Sequence, residues 1–165
     1  MGKLLERYFT MTESRNIPMQ AFVELSWKCN ELCKHCYLSV EGRRQGSPND
    51  HTTEQVKSIL NQLAEQGCLY VVFTGGEVLL RRDFFEIVAY AREKRFAVVV
   101  FTNGTLVSER VADRFAALDV SEVDISVYSH LPDTHDWVTN VPGSFAMTLS
   151  GIRRHSSSSA AVPSS

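Results

Sequence analysis

Short apolar runs alternate along this chain with longer stretches in which apolar residues recur every three or four positions. Phe22 to Trp27 (FVELSW) is the first run, and its β-branched and aromatic content fits a buried strand. Glu41 to Asp50 is polar and broken by Gly42, Gly46 and Pro48, and it ends where Thr52 and Gln55 stand in the arrangement of a capping box. A helix is expected from there, with Val56, Ile59, Leu60 and Leu63 on one stripe and Gly67 as its stop. Cys68 to Phe73 (CLYVVF) is a second strand, near-continuously apolar as in a parallel strand covered on both faces. Asp83 caps the next helix, whose inner face is Phe84, Ile87, Val88 and Ala91 and whose last turn gathers Arg92, Lys94 and Arg95. Ala97 to Phe101 is the third strand. Ser108 opens a third helix with Val111, Phe115 and Leu118 inward, and Glu122 to Val127 is the fourth strand. A polar segment from His130 to Pro142 then leads to a helix capped by Ser144 with the stripe Phe145, Leu149 and Ile152.

Four alternations of strand and helix predict an α/β fold with parallel strands joined by crossovers. The polar motifs all follow strands: the cysteine-rich loop after the first, Gly75-Gly76-Glu77 after the second, Thr102-Asn103-Gly104 after the third. Open α/β sheets and α/β barrels place their sites at carboxyl-terminal strand ends, so the three motifs are expected around one pocket. After Arg154 the chain becomes serine-rich and has nothing to bury, which predicts a disordered tail over residues 155–165. Residues 1–20 read as a lead-in and residues 21–154 as one core domain.

Composition narrows the function without deciding it. Seventeen basic against nineteen acidic residues leave a net charge of -2, so no electrostatic footprint for nucleic acid stands out. The opening residues mix Lys3, Glu6 and Arg7 among apolar ones, unlike a signal peptide, and no later segment is long and apolar enough to cross a bilayer. A cytoplasmic address is expected, where thiols stay reduced and clustered cysteines read as metal ligands.

Three of the four cysteines, Cys29, Cys33 and Cys36, share one short loop. Thiolates are soft ligands suited to zinc or to iron-sulfur clusters. A structural zinc site wants four protein ligands, with His35 or Cys68 as the fourth, but the usual second cysteine pair is missing. A cluster with one open iron accounts for three ligands as they stand. Cys68 otherwise reads as a small buried residue of its strand. His130, His135 and Asp136 read as a solvated loop in preference to a second metal site, and Trp27 and Trp137 have no assigned role.

The spacing C-x3-C-x2-C over Cys29, Cys33 and Cys36, with Gly75-Gly76-Glu77 and Thr102-Asn103-Gly104 after the next two strands, resembles the radical S-adenosylmethionine (radical SAM) superfamily. The resemblance runs from about Phe22 to Arg154. It implies that the three cysteines hold three irons of a [4Fe-4S] cluster, the fourth iron being open to the amino and carboxylate groups of S-adenosylmethionine. It further implies that Gly75, Gly76 and Glu77 meet the cofactor's amino group, with Glu77 supplying a carboxylate to the ammonium. Asn103 would lie near the cofactor, Ser126 at its ribose or carboxylate, and His35 near adenine.

The implied reaction is reductive cleavage of S-adenosylmethionine to a 5'-deoxyadenosyl radical that abstracts hydrogen, fed by an electron donor such as flavodoxin or ferredoxin. Asp133 to Phe145, followed by Ile152-Arg153-Arg154, is similar to the subgroup with SPASM-type C-terminal domains, many of which modify peptides, so a peptide substrate is implied. The family core has six strand-helix units where four are counted here, which makes the expected fold an incomplete partial (β/α) barrel. The competing expectation is a truncated, non-catalytic iron-sulfur or metal-binding fragment completed by a partner chain at the open edge of the fourth strand.

Overall fold

Thr52 opens the first long helix as its sequence demands. Its hydroxyl accepts from Gln55 N, and the Gln55 side chain accepts from Thr52 N at 2.8 Å, which closes the capping box. The computed structural model describes residues 12–159 together with Glu6 and Thr10. The expected lead-in therefore falls partly outside the described residues. Elements follow in the order β1 (Gln20–Glu24), α1 (Val40–Gln45), α2 (Thr53–Glu65), β2 (Tyr70–Thr74), α3 (Phe84–Glu93), β3 (Ala97–Thr102), α4 (Glu109–Ala117), β4 (Glu122–Ile125), α5 (Pro132–Thr139) and α6 (Ser144–Ser159).

The strands form one open parallel sheet in the order β1-β2-β3-β4, with Val23 opposite Phe73, Phe73 opposite Val100 and Val100 opposite Val123. Parallel neighbours cannot be joined by a hairpin, so each connection crosses over, and helices fill the crossovers. Side chains alternate across the sheet. Val23, Leu25, Val71, Phe73, Val98 and Val100 join the helix stripes in one core, closed by Leu60, Phe84, Ile87 and Phe115. α2 packs on α3, and α6 packs on both α4 and α5. The opposite face carries Phe22, Tyr70 and Phe101, all exposed, with Phe22 and Phe101 edge to face at 6.1 Å.

Several boundaries differ from expectation. β1 ends at Glu24 instead of Trp27, because beyond Leu25 the backbone leaves the sheet register to receive the Gly-Gly turn. β4 ends at Ile125, not Val127. The polar stretch after the cysteines begins with a short helix, α1, which Ser39 caps by accepting from Gly42 N.

The segment from His130 to Pro142 is no solvated loop either: Pro132 starts α5 at a position that suits proline, and Asn140 ends it in the left-handed conformation. His135 is buried and its Nδ1 accepts from Tyr128 N at 3.3 Å, while Asp136 accepts from Gly143 N and Phe145 N and so caps α6. Ser144, expected in that role, instead donates to Asp136 at 3.0 Å. Asp83 does not cap α3 with its side chain; it takes a two-pronged ion pair from Arg81 and a hydrogen bond from Thr53. α6 also runs past Arg154, so residues 155–159 are helical and not disordered. His155 packs against Phe115 at 6.0 Å, and Ser156 and Ser157 donate back to Ile152 O and Arg153 O, which satisfies their hydroxyls within the helix. Residues 160–165 lie outside the described residues. Among the described residues no helix is long and apolar enough to cross a membrane.

Candidate cofactor site

β2 empties at Thr74 into Gly75-Gly76-Glu77, and this turn lies directly beneath the backbone that enters the cysteine loop. Gly76 N donates to Ser26 O and Glu77 N to Lys28 O, each at 2.8 Å. A Cβ on Gly75 would stand 2.3 Å from Ser26 O, and one on Gly76 would stand 2.3 Å from Lys28 O and 2.5 Å from Trp27 O. Backbone oxygens cannot move aside as a side chain can, so only glycine fits both positions. The loop is held on its other side as well. Cys29 N donates to Arg43 O, Leu32 N to Thr139 O and Lys34 N to Val138 O, so α1 and α5 fix it from two directions. Lys34 Nζ also lies 3.6 Å from the centre of the exposed Trp137 ring, and Trp27 packs beside Gly42.

All four cysteines are free thiols. Cys29, Cys33 and Cys36 line one cavity of about 280 Å³, together with His35, Gly75, Gly76, Asn103 and Ser126. The residues nominated from sequence thus meet, with one exception. Glu77 is fully buried and lies off the cavity wall, its oxygens taken by Thr102 Oγ1 at 2.8 and 2.9 Å, Asn103 N at 2.8 Å and Leu79 N at 3.0 Å. Burial pushes its pKa above the usual carboxylate range, against the pull of those hydrogen bonds. In this arrangement Glu77 ties the Gly-Gly turn to the Thr-Asn-Gly turn and does not present a free carboxylate to a ligand.

Asn103 sits where those turns meet the cysteine loop. Its Nδ2 donates to Asn30 Oδ1 at 2.9 Å and lies 4.0 Å from Cys29 Sγ, and its Oδ1 accepts from Thr105 N and Thr105 Oγ1. His35 stands edge to face with Tyr128 at 4.7 Å. Cavity residues not nominated as site residues from sequence are Glu31, Tyr37, Arg43, Thr74, Phe101, Thr102 and Tyr128. Local sequence offers no pointer to Glu31 or Arg43, while Phe101 could have been found as the last apolar residue of β3 on the face opposite the core.

The thiols share the cavity without forming a closed ligand set. Cys29 Sγ accepts from Glu31 N and Cys33 Sγ donates to Glu31 Oε2, both at 3.4 Å, and among the described residues no group of three His, Cys, Asp or Glu side chains closes around a point as a metal site. Burial pushes the Cys29 thiol up to about 11 and the Cys33 thiol up to about 12, so both are protonated at neutral pH and would release protons on binding a metal group. The donor set nevertheless fits a group held by three thiolates: three soft ligands on one wall, beside a Gly-Gly turn. Cys68 lies outside the cavity, its thiol directed at Tyr70 O, which removes it as a fourth zinc ligand.

Residues 23–158 match the family described as the radical SAM superfamily. The chain belongs to that superfamily. A relative named AdoMet-dependent heme synthase, from Nitratidesulfovibrio vulgaris, is 33% identical over 129 residues, covering 78% of this chain and 35% of the relative. The mycofactocin maturase MftC of Mycobacterium ulcerans is 37% identical over 129 residues, covering 78% of this chain and 34% of its own. The chain thus spans about a third of the length of the curated relatives it matches. Among solved structures, Streptococcus suis SuiB bound to precursor peptide SuiA superposes with a TM-score of 0.69 at 17% identity, over 90% of this chain and 34% of that one. Native anSMEcpe with bound AdoMet gives a TM-score of 0.68 at 18% identity, over 84% and 41%. At such identities the likeness establishes the fold, a radical SAM partial (β/α) barrel of which four strands lie among the described residues.

Proposed function

We propose that this chain binds a [4Fe-4S] cluster through Cys29, Cys33 and Cys36, binds S-adenosylmethionine beside it, and serves hydrogen abstraction from a peptide. The observation that carries this reading is the single cavity shared by the three thiols with Gly75, Gly76, Asn103 and Ser126. When bound, the cluster and cofactor together supply reductive cleavage to a 5'-deoxyadenosyl radical. The chain's own residues hold and orient. Gly75 and Gly76 let their turn seat against the backbone of the cysteine loop and so join the thiols on one cavity wall, Ser126 offers a hydroxyl, and His35 with Tyr128 forms an aromatic wall for adenine. Glu77 acts from outside the cavity by holding the two turns in register. The half-exposed Phe101 extends the wall toward the open sheet face, where a substrate would lie.

A peptide substrate is supported by SuiB bound to its precursor peptide among the similar structures, and by the SPASM-like stretch from Asp133 to Phe145. An electron donor of the flavodoxin or ferredoxin kind completes the reaction, and the free thiols suit a reducing, cytoplasmic setting. A second reading, a non-catalytic cluster-binding module completed by a partner chain, is favoured by the outer edge of β4, with which no strand among the described residues pairs.

Anaerobic reconstitution followed by iron and sulfide counts tests the cluster, and addition of dithionite with S-adenosylmethionine tests the chemistry. Cluster assembly with release of 5'-deoxyadenosine is the expected result. Stoichiometric zinc without sulfide would sink the iron reading, and a cluster that yields no 5'-deoxyadenosine would leave the module reading.

A further inference from the structure

Two charged side chains on the wall of the thiol cavity each leave one buried polar atom without a hydrogen-bond partner, Oε1 of Glu31 and Nε of Arg43. Glu31 is 2% exposed and Arg43 is 5% exposed. The second oxygen of Glu31 is committed to Cys33. Arg43 is placed against two of the three cysteines: its carbonyl accepts from Cys29 N at 2.8 Å, and its Nη1 donates to Cys33 O at 3.0 Å. A guanidinium does not shed its proton, so this charge stays inside the protein. A buried cation needs an anion, and among the described residues no carboxylate stands within ion-pair distance of Arg43.

An iron-sulfur cluster on three thiolates is anionic, and its reduction adds another negative charge. Net charge and hydrogen bonds around the sulfurs set the potential of such clusters. We propose that Arg43 is the buried cation that balances a cluster held by Cys29, Cys33 and Cys36 and keeps its reduction within reach of the electron donor. The inference rests on the cluster-binding reading above. Arg43 is a positioning and charge-balancing residue whose backbone fixes Cys29 while its side chain holds Cys33 O and lines the same cavity.

The test is an EPR-monitored redox titration of the reconstituted full chain, with and without S-adenosylmethionine, beside iron and sulfide counts. Arg43→Gln is expected to retain iron and sulfide and to shift the reduction equilibrium about tenfold against the reduced form, about 60 mV lower for one electron. Arg43→Lys is expected to restore the wild-type potential, since it restores charge without the planar guanidinium. An unchanged potential in a fully loaded Arg43→Gln protein overturns the proposal. So does an unchanged potential accompanied by roughly tenfold weaker S-adenosylmethionine binding, which would assign the guanidinium to the cofactor's carboxylate.

If Arg43→Gln fails to load, Arg43→Lys decides: loading at the wild-type potential supports charge balance, and equal failure overturns it in favour of the hydrogen bond to Cys33 O alone. Failure of the wild-type chain to assemble a cluster would instead remove the functional reading, and this inference with it.

Discussion

Phe73 and Phe22 belong to paired strands of one sheet, and the first is fully buried while the second is 61% exposed. They point to opposite faces. Phe73 lies under the helices with Leu25, Phe84 and Val100 in the continuous core, whereas Phe22 stands with Phe101 and Tyr70 on a face that no helix of the described core covers. The covered face holds the protein together. The open face leads to the cavity, through Phe101, Thr74 and Ser126, and keeps aromatic surface in reach of a ligand. One set of strands thus separates stability from recognition by the two-residue period of the pleat.

The largest effect should come from deleting one ring on each face. Phe73→Ala is expected to cost about 3–5 kcal/mol in urea denaturation because it opens a core cavity. Phe22→Ala should cost about 1 kcal/mol or less. Equal losses would mean that the open face is covered in solution and would break the distinction. A smaller effect is expected at the rim where both faces end. Gly76→Ala should destabilise by about 2–3 kcal/mol through overpacking against the Lys28 and Trp27 carbonyls, and iron loading should fall with it; a variant that melts like the parent would contradict the close approach.

The smallest effect concerns acid. Arg81 holds Asp83 down at about 2, with Thr53 adding to the shift and burial opposing it, from an ordinary 3.8. Because the folded-state pKa is depressed, the stabilisation is present above the ordinary value and lost as pH falls toward 2. The Asp83 side chain is 24% exposed, so solvent still screens part of the ion pair and the loss should be about 1 kcal/mol, and Asp83→Asn should flatten that part of the acid limb in a series of melts. Arg81 also donates to Leu25 O at 2.6 Å, so this cluster ties the helix layer to the end of β1.

Much of this architecture is legible in the amino-acid sequence. The capping box at Thr52 and Gln55, the Ser108 cap and the stripes of α2, α3 and α4 are local signals, and each appears where its residues put it. The three strand-following motifs also meet as expected. Two short helices show no apolar stripe, because six residues in α1 and eight in α5 are too few to display a period, and Ser39, Pro132 and Asn140 mark their ends only once the helices are known. The continuation of α6 through the serines runs against composition as well, since serine's low propensity gives way to the packing of His155 on Phe115.

By itself, the sequence determined the alternation of strand and helix, the period of each, and the chemical kind of ligand that three thiols on one loop can offer. Those properties live within a few residues of each other. Only the tertiary structure decided that Gly75 and Gly76 lie against Ser26, Trp27 and Lys28, that Glu77 turns inward to Thr102 and Asn103, and that Arg43 reaches Cys33 with one N–H left unmet. Each depends on a partner brought in from a separate element or loop, and the burial that gives it meaning exists only once the sheet has assembled.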